Sequence, residues 1–350
     1  MVKMSKNPPE IEIAGRKIGE RYPPFVIAEI GINHEGDFNK AKKMIDDAYH
    51  AGAECVKFQC HIPDDEMIPN NVIPANANES IWTMMQRCSF SEDEELELKN
   101  YTEKLGLIYL CTPFSRAAAD RLEKMNLSAY KIGSGECNNI PLLEHIASFK
   151  KPIILSTGMN DLENISTSVK VFKKFGIDYA LLHVTSMYPT PYDKVRLGAI
   201  SELKEKFSNC VIGLSDHSYG NYTCFAAISL GASILEKHFT SDKEWTGPDI
   251  PISLDPTELK DLITGSNAIF QSLGGNKTIL PEEQPTIDFA YASVVSIKNI
   301  KQGEKFSREN IWVKRPGTGE IRASDYTDVL NKIAKVNINT NEQIRWDMIE

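Results

Sequence analysis

The chain has 350 residues, 41% of them hydrophobic and 25% charged, with a formal net charge of -9. That balance describes a folded globular protein with a large core and room for a second, smaller domain. The acidic excess argues against general nucleic-acid or anionic-membrane binding, so an anionic ligand must be met by a few placed cations.

The start, MVKMSKNPPEIEI, lacks a signal-peptide core, and no apolar run approaches a membrane span. Seven cysteines without a Cys-x-x-Cys pair form neither a disulfide framework nor a structural zinc motif, and a cytoplasmic location is expected. From there, short apolar runs alternate with helical patterns. FVIAEIGIN (25–33) precedes Ala41, Met44, Ile45 and Ala48, spaced for one helix face, with Gly52 as the stop. CVKFQC (55–60) precedes a capping-box pair, Ser91 and Glu94, and a helix through Leu98, Tyr101 and Leu105 that stops at Gly106. Then come LIYLCTPF (107–114), AYKIGSGE (129–136), PIILSTG (152–158), YALLHVTS (179–186), CVIGLSDH (210–217) and SILEKHFT (233–240). Runs apolar throughout suit parallel strands covered on both faces. Eight strand–helix alternations predict a (β/α)8 TIM barrel over residues 1–280, with a doubly wound open sheet as the alternative. Residues 281–350, with short β-like runs and turns such as KQGE, predict a linker and a small mixed-β domain.

In such a barrel the carboxyl ends of the strands form the active-site rim. That rule gathers Glu29, Lys57, Gln59, Thr112, Lys131, Ser134, Glu136 and Ser156 with Tyr188, Ser215, His217 and His238. His217 and His238 end adjacent runs; two imidazoles suit a divalent metal acting as a Lewis acid, and equally a packed, hydrogen-bonded pair. Lys57 and Lys131, with the hydroxyls of Thr112, Ser134 and Ser156, suit a phosphate or carboxylate. Their bland alternative is an ion pair with Glu29 or Glu136. Glu29 itself reads as a general acid or base, or as a structural carboxylate. His34 does not complete a His-x-His metal pair on the first run. The consecutive Ser215, Asp216 and His217 offer the residue types of a hydrolase triad. An extended chain sends Ser215 and Asp216 to opposite faces, and the glycine-flanked nucleophile elbow is absent. Ser215 is therefore expected to face a ligand and Asp216 to be structural. Arg315, in KRPGTG, sits before a stiff turn and on the residues alone is a solvated arginine.

The segments EIGINHEG, VKFQ, CTPFSRAA, YKIGSGECNN, ILSTGM, YPTPY, GLSDHS, LEKHFT, GPDI and VKRPG run in order over nearly the whole chain. Together they resemble the sialic acid synthase family of phosphoenolpyruvate-dependent nonulosonate synthases. The resemblance implies a TIM barrel followed by an antifreeze-like (SAF) domain, and a domain-swapped homodimer. It implies condensation of phosphoenolpyruvate with N-acetylmannosamine and water, forming N-acetylneuraminate and releasing phosphate. The rival within the family is a related nonulosonate such as legionaminic acid, made from a di-N-acetylated, 6-deoxy sugar. By resemblance His217 and His238 hold the metal, Mn²⁺ first, with Mg²⁺ or Co²⁺ as alternatives. Lys57, Gln59, Thr112, Lys131, Ser134, Ser156 and Ser215 match phosphoenolpyruvate-binding positions. Tyr188 and Asp249 match amino-sugar contacts, Phe289 helps close the site, and Arg315 enters the partner's barrel to meet the N-acyl group. Glu29 and Glu136 match acidic residues near the reacting carbons. The sialic-acid branch commonly has asparagine where this chain has Ser186, which puts a hydroxyl in place of an amide. Outside the family stand a metal-free Schiff-base aldolase using Lys131 or Lys57, and an ice-binding protein. The ionisable rim argues against the latter.

Overall fold

A computed structural model describes residues 8–350; residues 1–7, where the signal-peptide reading begins, lie outside the described residues. The chain forms two compact units that divide between Leu273 and Gly274. The sequence placed this boundary at 280. The helix Pro256–Ser272 ends the first unit, and residues 274–280 belong with the second.

The first unit opens with an antiparallel hairpin, β1 (Glu10–Ile13) and β2 (Arg16–Gly19), which the sequence reading did not anticipate. Eight parallel strands follow: β3 (Phe25–Gly31), β4 (Cys55–Cys60), β5 (Ile108–Pro113), β6 (Tyr130–Ile132), β7 (Ile153–Ser156), β8 (Tyr179–His183), β9 (Val211–Asp216) and β10 (Ile234–His238). Their hydrogen-bonded order is β5–β4–β3–β10–β9–β8–β7–β6, and β5 lies against β6, so the barrel is nearly closed. The open-sheet alternative is thereby excluded. β6 is shorter than the expected run because Ser134–Glu136 turns into a single 3₁₀ turn.

Side-chain alternation along each strand sorts the residues between two cores. Val26, Ala28 and Ile30 of β3, with Val56 and Phe58 of β4, pack outward against the helices. Phe25, Ile27, Cys55, Leu110, Ile154, Leu182 and Ile234 point inward, where Ile11, Ile13 and Ile18 of the hairpin join them. The inward positions one step further along the strands are polar, and they build the site. Outside, the helix Phe38–His50 buries Ala41, Met44, Ile45 and Ala48, as the spacing predicts. Ser91 and Glu94 form the expected capping box at the start of the helix Glu92–Lys104; such a cap stabilises a helix by about 1 kcal/mol. Among the described residues no helix is long and apolar enough to cross a membrane.

The second unit carries an antiparallel pair, β11 (Ser293–Ser296) and β12 (Ile311–Lys314). Isolated bridges such as Val295–Gln343 and Ile300–Ile338 extend it around a separate core of Val294, Ile300, Phe306, Ile311 and Ile344. This is the small mixed-β domain expected.

Candidate active site

A cavity of about 290 Å³ opens at the carboxyl ends of the barrel strands. That is at the small end for a metabolite site. Three larger clefts, of about 440, 510 and 610 Å³, lack a comparable convergence of buried charge. Of the residues expected at the rim, Glu29, Lys57, Gln59, Thr112, Lys131, Ser134, Ser156, Ser186, Tyr188, Ser215, His217 and His238 all line this cavity.

Its floor is a buried charge cluster. Lys57 Nζ lies 2.7 Å from Glu29 Oε2 and 3.7 Å from Glu236 Oε2, and it donates to Thr112 Oγ1 at 3.2 Å. Lys57 thus pairs closely with Glu29, while Glu236 Oε2 is buried with only the Lys57 charge, at 3.7 Å, beside it. Lys131 Nζ donates to Ser156 Oγ at 2.6 Å and lies 3.6 Å from Glu236 Oε1, which also accepts from Ser215 Oγ at 2.9 Å. Burial pushes Lys131 down to about 8, and the Glu236 carboxylate opposes that shift. The two lysines pull Glu236 below the usual carboxylate range against its desolvation. Burial raises Glu29, with Lys57 resisting. The ion-pair reading of the lysines is thus present in the structure, with Glu29 as one partner and Glu236, rather than Glu136, as the other. Lys131 Nζ also donates to the Ile132 carbonyl at 3.1 Å, so an arriving anion would have to share these ammonium groups with their present partners.

Glycine makes room twice. Gly31 sits at φ +55, after a register shift between Glu29 and Gly31. A Cβ there would lie 3.3 Å from both Gln59 Nε2 and Glu29 Oε1. At Gly158 a Cβ would overlap Ser186 Oγ and lie 2.8 Å from Ser134 Oγ, which accepts the Gly158 N–H at 3.0 Å. The Ser186 hydroxyl is buried without a partner, so it is free to meet a ligand.

His217 and His238 come together at the cavity wall, their ring centroids 5.5 Å apart, with Tyr188 stacked on His217 at 4.1 Å. Burial lowers His217 to about 4 and holds His238 well below the usual histidine range, so both rings are neutral. His217 Nδ1 lies 3.1 Å from the Thr185 carbonyl. A carbonyl only accepts, so the proton sits on Nδ1 and Nε2 carries a free lone pair. His238 Nδ1 is buried with no hydrogen-bond partner; the nearest acid is Asp249 Oδ2, at 3.6 Å. Two neutral imidazoles with unused lone pairs fit a divalent metal. Among the described residues no three His, Cys, Asp or Glu side chains form a ready-made cluster, so substrate oxygens and water would complete the coordination, as in an open catalytic site.

Asp216 faces away, as expected of the apparent triad. It accepts from Thr223 Oγ1 at 2.6 Å, Lys237 Nζ at 3.1 Å and the Ser218 N–H at 3.1 Å. His34 is structural too, stacked on Phe90 at 4.3 Å. Asp249 stands beside the cavity rather than lining it, accepts from Asn76 Nδ2 at 3.3 Å, and is raised to about 7 by burial and by Glu29. Glu136 lies on the 3₁₀ turn, where Asn139 Nδ2 donates to it at 2.6 Å, and it does not line the cavity. Phe289 and Arg315 belong to the second unit, where both are exposed. The reading of the rim missed Glu236. Its signal was the two-residue alternation that places it on the inward face with Ile234 and His238.

Lysines, carboxylates and paired neutral imidazoles converging at the carboxyl mouth of a parallel barrel mark the site of an enzyme. The chain belongs to the NeuB family, which it matches over residues 44–278, and residues 291–350 match the SAF domain. It is 40% identical over 331 residues to the N,N'-diacetyllegionaminic acid synthase of Campylobacter jejuni, covering 92% of this chain and 98% of that one. It is 32% identical to human N-acetylneuraminate-9-phosphate synthase, covering 98% of each. The solved sialic acid synthetase of Leptospira borgpetersenii, in complex with citrate, superposes with a TM-score of 0.74 at 36% identity, over 80% of this chain and 95% of that one.

Proposed function

We propose that the chain is a nonulosonate synthase that condenses phosphoenolpyruvate with an open-chain N-acetylated amino sugar and water, releasing phosphate. The observation that carries this reading is the floor of the cavity: two buried lysines beside the hydroxyls of Thr112 and Ser156, facing the imidazole pair. Lys57 and Lys131 hold the phosphate and carboxylate of phosphoenolpyruvate, and the Ser134, Ser156 and Ser215 hydroxyls orient them. His217 and His238 hold the metal. When bound, it supplies Lewis-acid polarisation of the sugar aldehyde oxygen. Glu29 faces the carbon that becomes cationic once the enol carbon attacks, and it takes a proton from the water that adds there. The lysines stay with the phosphate as the carbon–oxygen bond breaks. Tyr188 and Asp249 meet the sugar. Glu136 reaches it only if its turn shifts on binding.

The motifs lead to N-acetylmannosamine. Two features favour the di-N-acetylated 6-deoxy sugar over it: 40% identity to a diacetyllegionaminic acid synthase, and Ser186 in place of an asparagine. Phosphate release measured with each sugar separates the two. We expect kcat/KM at least about tenfold higher for the deoxy sugar, since a polar mismatch in a buried site costs on that scale. Preference for N-acetylmannosamine would restore the first choice. Borohydride with pyruvate in a chelator is expected to leave both lysines unmodified, contrary to a Schiff-base aldolase.

The partner's second unit supplies Phe289 and Arg315 in a domain-swapped homodimer, a reading supported by family resemblance and by the exposure of both residues. Its test is complementation between Lys57→Ala and Arg315→Ala, each inactive alone. After mixed refolding half the dimers are mixed, each with one intact site, so about a quarter of wild-type activity returns. Recovery of none would show that each chain completes its own site. The seven buried, unpaired cysteines support a reducing, cytoplasmic setting.

A further inference from the structure

We propose that His61, clamped by Glu66, is a positioning residue for the reaction: it fixes which way the Gln59 amide faces, and through it the Glu29 carboxylate. The inference rests on the synthase reading of the site, and no motif assigned either residue a role. Gln59 Nε2 donates to Glu29 Oε1 at 3.0 Å. The opposite flip would set the amide oxygen against a carboxylate, so that orientation is the only one the pair tolerates. Gln59 Oε1 therefore faces His61 Nε2, at 3.0 Å, and that nitrogen must carry a proton.

The other face of the ring makes the same demand. His61 Nδ1 lies 2.8 Å from Glu66 Oε2, and a carboxylate also only accepts. Two acceptors on one ring are both satisfied only by the imidazolium, with the Glu66 carboxylate as its counter-charge. The pair is enclosed, with side chains 4% and 10% exposed. The ring is stacked on Phe114, a cavity residue, at 4.5 Å and 14°. Glu66 is itself anchored: its short helix, Pro63–Glu66, is tied down by Asp65 Oδ2, which accepts the Ala117 N–H at 2.8 Å. The other ionisable groups that feel the His61 charge are Glu95, paired with Arg121 at 3.2 Å, and His34, which burial keeps neutral. A chain of contacts thus runs from Glu66 through His61 and Gln59 to Glu29 and Lys57. Without the His61 Nε2–H the Gln59 amide is free to flip and present its oxygen to Glu29.

The test is a double-mutant cycle read on kcat, with phosphate release from phosphoenolpyruvate and the preferred sugar. His61→Ala is expected to lower kcat about 10–100-fold, the usual cost of losing an orienting partner, with KM for phosphoenolpyruvate within about twofold of wild type. In a Gln59→Ala background the same substitution should cost less than about twofold, because its route to Glu29 is already gone. An equal loss in both backgrounds would overturn the inference, since a structural role does not depend on Gln59. Should His61→Ala fail to fold, His61→Phe carries the cycle, keeping a ring against Phe114 and removing the Nε2–H. A readout independent of activity is the His61 ring ¹⁵N spectrum at neutral pH. Two protonated nitrogens are expected in wild type and one in Glu66→Gln; a neutral ring in wild type would overturn the inference. Should wild type condense no sugar, the synthase reading fails and the ¹⁵N spectrum alone decides this one.

Discussion

Replacing Lys57 with methionine is expected to lower kcat/KM for phosphoenolpyruvate at least about 100-fold and to destabilise the barrel by about 3–5 kcal/mol. The two effects have separate causes. Lys57 is the cation between Glu29, at 2.7 Å, and Glu236, at 3.7 Å, and all three are buried. Without it two buried carboxylates lose the cation they share, which explains the loss of stability. The loss of activity follows from removing a charged donor to the anion. The double variant Lys57→Met/Glu29→Gln separates them, since it should recover most of the melting temperature and none of the activity. A single variant that melts like wild type would contradict the charge cluster as described.

His217→Ala is expected to weaken Mn²⁺ binding by on the order of 100-fold or more and to abolish condensation, while circular dichroism stays that of the folded barrel. The fold should survive because the ring is neutral and its one protein hydrogen bond is to the Thr185 carbonyl at loop level. Titration of the metal by calorimetry reads the site without relying on turnover. Unchanged Mn²⁺ affinity in this variant would remove His217 from the metal site.

The fold was legible because its signals are local. Uninterrupted apolar runs such as Phe25–Gly31 are buried at every position, as a parallel strand between helices demands. The helix Phe38–His50 buries the four residues its spacing marks out. The hairpin Glu10–Gly19 was harder to see because its alternation is short and one of its faces is solvated. Most of the rim followed from a single rule, that chemistry sits at the carboxyl ends of barrel strands. What escaped it was charge compensation. Glu236 matters through two lysines on other strands, Lys57 and Lys131, and no sequence spacing records that meeting. His61 and Glu66 act on Gln59 through the protons of one ring, which depend on geometry as much as on residue type. Glu136 is the converse case: the rule gathers it at the rim, and the structure sets it on a 3₁₀ turn where Asn139 donates to its carboxylate.

How phosphoenolpyruvate is broken tests the proposed reaction most directly. Phosphoenolpyruvate labelled with ¹⁸O at its bridging oxygen, incubated with the sugar, Mn²⁺ and the enzyme, should yield phosphate that retains the label, one per ketose formed, and none after chelation. That result is carbon–oxygen cleavage at a cationic C2, with the lysines holding the departing phosphate. Label left on the C2 oxygen of the product, or full activity in chelator, would contradict it.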